Sequence, residues 1–223
     1  MIKNLMYVGI AVLGITTAQA QKTETFTKKG KTLILTNEDP NFNAEVKEGL
    51  INTFFTVYPK LCKTYNKKAI DTVRVKIDTS YTGVAYANNG SITISSAWLH
   101  KMPKDTDVIT HEVMHLVQAY GGHSGPGWLT EGIADYVRYK FGVANKEANW
   151  SLPDYKSSQS YANSYRVTAR FLLWITENYD KKFVKKMDKH MRSHTYSPEL
   201  WEKYTGKTLD ELWKAYGENP KLS

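Results

Sequence analysis

The chain has 223 residues, 30 Lys and Arg against 22 Asp and Glu, a formal charge of +8 and one cysteine. That length suits one domain with a substantial core, and a lone Cys62 excludes an internal disulfide. No repeat, low-complexity tract or Ser/Gly-rich linker divides the chain.

The N-terminus reads as an export signal. Lys3 supplies a positive start, Leu5 to Ile15 an apolar stretch, and Ala18-Gln19-Ala20 a small-residue cleavage pattern. Residues 1–20 are expected to be removed, leaving 21–223 as one secreted or periplasmic domain. The apolar stretch falls short of the roughly 20 residues a membrane span needs. Cys62 lies too far downstream to carry a lipid anchor. Gln21 to Gly30, polar and Lys-rich, reads as a flexible mature N-terminus.

Thr32 to Thr36 follows as a short strand. After Asp39-Pro40, the spacing of Phe42, Val46, Leu50, Phe54 and Leu61 predicts a helix, kinked or ended in its main part at Pro59. Val73, Val75 and Ile77 alternate with polar residues, as in a half-buried strand. Val84–Ala87 and Ser91–Ser95 flank Asn88-Asn89-Gly90, a hairpin signal. Beyond Pro103 the period becomes helical, with Asp105 or Thr106 as cap and an end near Tyr120. Gly121 to Gly127 holds four glycines and Pro126, hence a loop, and a second helix starts near Pro126 or Trp128. Further helices are predicted over Ser164–Glu177, Lys181–Arg192 and Leu209–Tyr216, the last behind Thr208 as N-cap. Much of the basic excess lies in Lys181–Arg192, where Phe183, Val184, Met187 and Met191 mark one face and Lys the other. No nucleic-acid module accompanies it, so it reads as a solvated helix face. Strands first and helices after imply an α+β fold.

The chemistry concentrates in His111-Glu112-Val113-Met114-His115. Two His four apart on a helix lie about 40° apart around its axis, so both can reach one ion. Glu112 sits beside them, placed to take a proton from a metal-activated water rather than to join as a ligand. Val113, Leu116 and Val117 supply a buried side. A catalytic zinc then lacks one protein ligand. Glu131, set among Trp128, Leu129, Ile133 and Ala134, is the candidate, because a carboxylate in apolar company is rarely buried unless paired or metal-bound. The glycine-rich loop can lay its helix beside the first. Asp135, one turn later, can accept the outward N–H of His111; a salt bridge with Arg138 or Lys140 is its other reading. His123 does not complete a third-His pattern, since that pattern requires Gly and His where this chain has Gln118 and Gly121.

With these residues in place, HExxH followed by Trp128–Tyr136 resembles the gluzincins, including thermolysin-like and alanyl-aminopeptidase-type enzymes. More closely, the chain resembles the basic secretory protein family of plant and bacterial peptidases. The stretches that carry this are Gly83–Tyr86, His111–Gln118, Glu131–Arg138 and Tyr165–Leu172, within a span from about Tyr58 to Tyr216. The resemblance implies a zincin-like fold: a small N-terminal sheet with an edge strand over the active-site helix, and a helical C-terminal half. It implies one Zn2+ per chain on His111, His115 and Glu131. It also implies that Ala85-Tyr86-Ala87 is the edge strand on which substrate lies, and that a tyrosine or histidine opposite the base stabilises the oxyanion. Tyr165 is the candidate and Tyr161 the reserve.

The expected activity is peptide hydrolysis, with Glu112 as general base. The expected partners are a peptide or protein substrate, with no nucleic acid, no membrane anchor and a monomeric chain. The competing reading is a catalytically silent secreted binding protein braced by structural zinc. Glu112 separates the two, because a structural site needs no base.

Overall fold

The computed structural model describes residues 22–222; the expected signal segment 1–20 lies outside the described residues. Its first element is strand β1 (Lys22–Lys28), so the segment expected to be flexible is an ordered edge strand. β1 pairs antiparallel with β2 (Lys31–Asn37) through the left-handed turn Lys29-Gly30. Its mostly exposed residues show no hydrophobic alternation, and that hid it from pattern reading. Paired hydroxyls, Thr23 with Thr36 at 3.0 Å and Thr27 with Thr32 at 3.1 Å, join the strands. Lys47 reaches Glu24 from the next helix at 2.7 Å.

Helix α1 (Ala44–Thr64) starts later than the hydrophobic spacing suggests, because the Asn43 side chain accepts from the amides of Glu45 and Val46. It runs through Pro59 rather than ending there. Strand β3 (Thr72–Asp78) returns parallel to β2, so β2–α1–β3 is a crossover unit. β4 (Ala85–Asn88) and β5 (Ser91–Ser95) form the expected hairpin, turning at Asn89 and Gly90 with φ of 46° and 78°. The five strands take the order β1-β2-β3-β5-β4, leaving β4 at an edge. Leu33, Leu35, Val73, Val75, Ile77, Ile92 and Ile94 are buried from this sheet into the core.

The short helix α2 (Ser96–Lys101) was not legible as a separate element. It follows β5 directly, capped by Ser95. Helix α3 (Val108–Gln118) starts after Asp107, not at Asp105 or Thr106. The buried Asp107 carboxylate accepts from the Thr110 hydroxyl at 2.6 Å and from the Ala144 amide at 2.5 Å. α3 ends at the left-handed Ala119, slightly before the expected Tyr120. Helix α4 (Gly127–Phe141) packs on α3, and α5 (Tyr165–Asn178) packs on α4. The α4–α5 crossing needs Gly132, since a Cβ there would lie 2.2 Å from Thr168 Cγ2.

α6 (Phe183–Arg192), α7 (Glu199–Thr205) and α8 (Leu209–Glu218) complete the helical half, and α7 was not anticipated. α6 buries Phe183, Val184, Met187 and Met191 and exposes Lys185 and Lys189. Thr208 caps α8 reciprocally with Glu211, as expected. The architecture is thus α+β, with a small sheet in the N-terminal half and helices beyond it. Among the described residues no helix is long and apolar enough to cross a membrane.

Candidate metal centre

The site lies where the edge strand β4 meets α3, in a cleft of about 1000 Å3. α3 is buried along almost its whole length, so its few polar side chains can only face that cleft or a neighbouring helix. His111 and His115 are one turn apart, with ring centroids at 4.8 Å and their Nε2 atoms 3.1 Å apart. Glu131, from the first turns of α4, brings Oε2 to 3.2 Å from His111 Nε2 and 3.5 Å from His115 Nε2.

Hydrogen bonds behind the rings decide the tautomers. His111 Nδ1 donates to Asp135 Oδ1 at 2.7 Å, and Asp135 is buried. The salt bridge of Asp135 with Arg138 or Lys140 does not form; Arg138 pairs with Asp105 instead. His115 Nδ1 donates to Gln118 Oε1 at 2.7 Å. The Gln118 amide is oriented by its own donation from Nε2 to Thr130 O at 2.9 Å. With both Nδ1 atoms protonated, both Nε2 atoms carry lone pairs.

In the neutral rings two Nε2 lone pairs and a carboxylate oxygen therefore converge, and a bound cation would stand where the His111 Nε2 proton otherwise sits. Ligands on a tetrahedral zinc at about 2.0–2.1 Å lie roughly 3.3 Å from one another. The three observed separations bracket that value, and the donor set of two imidazoles and one carboxylate suits zinc.

The electrostatics agree. Burial alone would lower the His111 pKa, but Asp135, Glu131 and Glu112 raise it to about 10. Burial likewise pushes Glu131 up, yet its hydrogen bonds with the two imidazoles hold it down to about 2. Such a surround favours positive charge among the rings. Glu112 is 5% exposed and lines the same cleft, with Oε2 buried and without a hydrogen-bond partner among the described residues. Burial raises its pKa, which brings a carboxylate nearer to working as a base at neutral pH.

The family model described as peptidase of plants and bacteria, BSP, matches residues 23–216. The chain belongs to the BSP family. No curated protein matches this BSP chain. Among solved structures it is similar to an M1 zinc metallopeptidase from Deinococcus radiodurans, at 14% identity and a TM-score of 0.51. A mutant of an M1 enzyme from the same organism, bound to a Tyr-Ser-Ala substrate, matches at the same identity and TM-score. Each match covers 92% of this chain and 53% of the other, so the BSP chain spans about half the length of those structures. At that identity the likeness concerns the fold.

Of the residues singled out in the BSP sequence, the fold brings His111, Glu112, His115, Glu131 and Asp135 together. Tyr165 joins them, its ring stacked on His111 with centroids 6.1 Å apart and 55% exposed to the cleft. Charge from Glu131, then burial, raises its pKa, so its hydroxyl keeps its proton. Tyr161 is drawn elsewhere, donating to Asp210 at 3.0 Å. Ala85 and Ala87 are half-buried along the cleft, and Tyr86 is exposed against Tyr81. His123 lies exposed in the loop before α4. Gln118 entered the sequence analysis only within a motif and as a position that breaks the third-His pattern. Its place three residues after His115, on the same helix face, was the available signal for its contact with the ring.

Proposed function

We propose that this chain is a zinc-dependent peptidase in which His111, His115 and Glu131 hold the metal and Glu112 is the general base. One observation carries the reading. The Nε2 atoms of His111 and His115 and Oε2 of Glu131 lie 3.1–3.5 Å from one another, beside a buried carboxylate whose Oε2 has no hydrogen-bond partner among the described residues. Zinc held there supplies Lewis acidity, acidifying a water and polarising a carbonyl.

The chain's own residues supply the rest. Asp135 and Gln118 fix the ring tautomers. Glu112 accepts the proton from water and passes it to the leaving amine. The Tyr165 hydroxyl donates to the oxygen on which negative charge develops. The free edge of β4 offers backbone groups to an extended peptide, which would lie as a sixth strand. The reading includes export, with the Ala20–Gln21 bond cut. The intact mass of the exported protein should equal that of residues 21–223, allowing for cyclisation of Gln21.

Glu112→Gln is the central test. It preserves shape and removes the base, so zinc content and folding should match the parent. Peptide cleavage should fall by about 10²–10⁴-fold. Cleavage at the parent rate would refute Glu112 as base. A zinc-loaded parent that cleaves no peptide in a broad library would leave a binding protein with a structural metal.

A further inference from the structure

The cleft does not stop at the metal ligands. Its lining also takes in Trp98, Met102, Val108 and Trp150, together with Asp105 and Arg138, and this α2–α4 side of the cleft is treated as a lobe of its own. Val108 lies one turn before His111 and Glu112, so the lobe opens within about 5 Å of the reacting groups along the helix.

The base of the lobe is built and fixed. Arg138, its side chain 6% exposed, donates from Nη2 to Asp105 Oδ1 and from Nε to Asn145 Oδ1 at 3.1 Å. Trp98 Nε1 donates to the other Asp105 oxygen at 2.9 Å. One carboxylate thus joins α2 to α4. The Trp150 ring covers the guanidinium at 4.4 Å. Its backbone amide donates to Asn145 O at 2.8 Å, and Asn145 in turn donates from Nδ2 to Arg138 O at 2.9 Å. Arg138 Nη1 makes no hydrogen bond among the described residues, although the side chain is more than nine-tenths buried.

We infer that this lobe is the specificity subsite for the residue on one side of the scissile bond, and that it takes an aromatic side chain, tyrosine foremost. The inference rests on the peptidase reading of the neighbouring centre. Two indoles and a thioether form an apolar slot with the flat surfaces that aromatic rings prefer. Arg138 lines the cleft and its Nη1 has no hydrogen bond among the described residues, so it can serve as the donor for a phenolic oxygen. Asp105 already neutralises the guanidinium, so an acidic side chain would lose its hydration and meet no net positive charge.

The test uses quenched-fluorescence peptides that differ only in one residue, Tyr, Phe, Glu or Ala, placed in turn on each side of the cleaved bond. On one side, kcat/KM with Tyr should exceed that with Ala by about 10–100-fold, the worth of burying a large side chain. Phe should fall between them, and Glu near Ala. Trp150→Ala should reduce the Tyr-to-Ala ratio by about tenfold. Met102→Ala serves if the first variant does not fold.

A turnover-independent arm titrates the parent with N-acetyltyrosinamide and N-acetylalaninamide, followed by NMR. The tyrosine compound should bind with a Kd on the order of a millimolar, weakened in Trp150→Ala. Equal Tyr and Ala values in both assays would overturn the subsite. Selective binding of the tyrosine compound by a protein that cleaves nothing would sustain the subsite and refute the peptidase reading.

Discussion

Replacing Gln118 by leucine keeps its volume and removes its hydrogen bonds, those to His115 and Thr130 among them. Gln118 is 1% exposed, and its oxygen is the acceptor for His115 Nδ1 at 2.7 Å. Without it that N–H is left in a largely buried setting, at a cost of about 1–3 kcal/mol. Thr130 O keeps its place in the α4 hydrogen-bond ladder, so the loss falls mainly on the imidazole. An unheld His115 ring rotates and changes tautomer, which for an outer partner of a metal ligand costs about 10–100-fold in affinity. That is about 1.4–2.7 kcal/mol.

Gln118→Glu separates orientation from packing. The carboxylate still accepts from His115 but cannot donate to Thr130 O, so zinc affinity should persist while stability falls. Competition against a chromophoric chelator measures the affinity, and thermal unfolding of the metal-free proteins measures the stability. The leucine variant should lose about 2–4 °C in Tm per kcal/mol. If it binds zinc within about threefold of the parent, the orienting role of Gln118 is wrong.

Two further outcomes follow from the backbone and the charges. Ser164 and Tyr165 have φ of 64° and 48°, and Ser164 makes no capping hydrogen bond. Relief of about 1–3 kcal/mol of strain against a loss of about 0.4–1 in unfolded-chain entropy means Ser164→Gly should stabilise the fold by about 1 kcal/mol; a lower Tm than the parent would contradict it. Burial pushes the Asp39 carboxyl up, but Ser96, the Asn41 amide and His100 outweigh that and hold it below the usual range. A depressed folded pKa contributes stability that is present above the unfolded value near ~3.9 and lost as pH falls through the folded one. Asp39→Asn should therefore be less stable at neutral pH and show a shallower acid limb in Tm against pH, whereas parallel curves would exclude the linkage.

What could be read from the sequence, and what could not, follows the range of the interactions. His111, Glu112 and His115 share a helix, so local spacing alone placed them. The β4–β5 hairpin was equally local, carried by Asn89 and Gly90. Glu131 was found through its chemical incongruity, a carboxylate among apolar neighbours. β1 escaped because an exposed edge strand needs no hydrophobic alternation; its order comes from pairing with β2 and from Glu24 meeting Lys47. The start of α3 was misplaced because Asp107 is tied to Thr110 and, across the fold, to Ala144. The Asp105–Arg138–Trp98 group ties α4 to the α2–α3 connection 33 residues upstream, and no spacing rule reports such a meeting.

Gly132 carries a mechanical consequence. It stands between Glu131 and Asp135 on α4, and the surface it lacks is occupied by Thr168 of α5, one turn after Tyr165. Backbone and a short side chain meet there with no compressible layer between them. Glu131, Asp135 and Tyr165 thus ride on one stiff body, and substitutions in the surrounding core will hardly alter their mutual spacing. The opposite wall is β4, which pairs within the sheet with β5 alone among the described strands. Attempts to widen or narrow the cleft by directed evolution should therefore accumulate changes on the hairpin and leave the α4–α5 body alone.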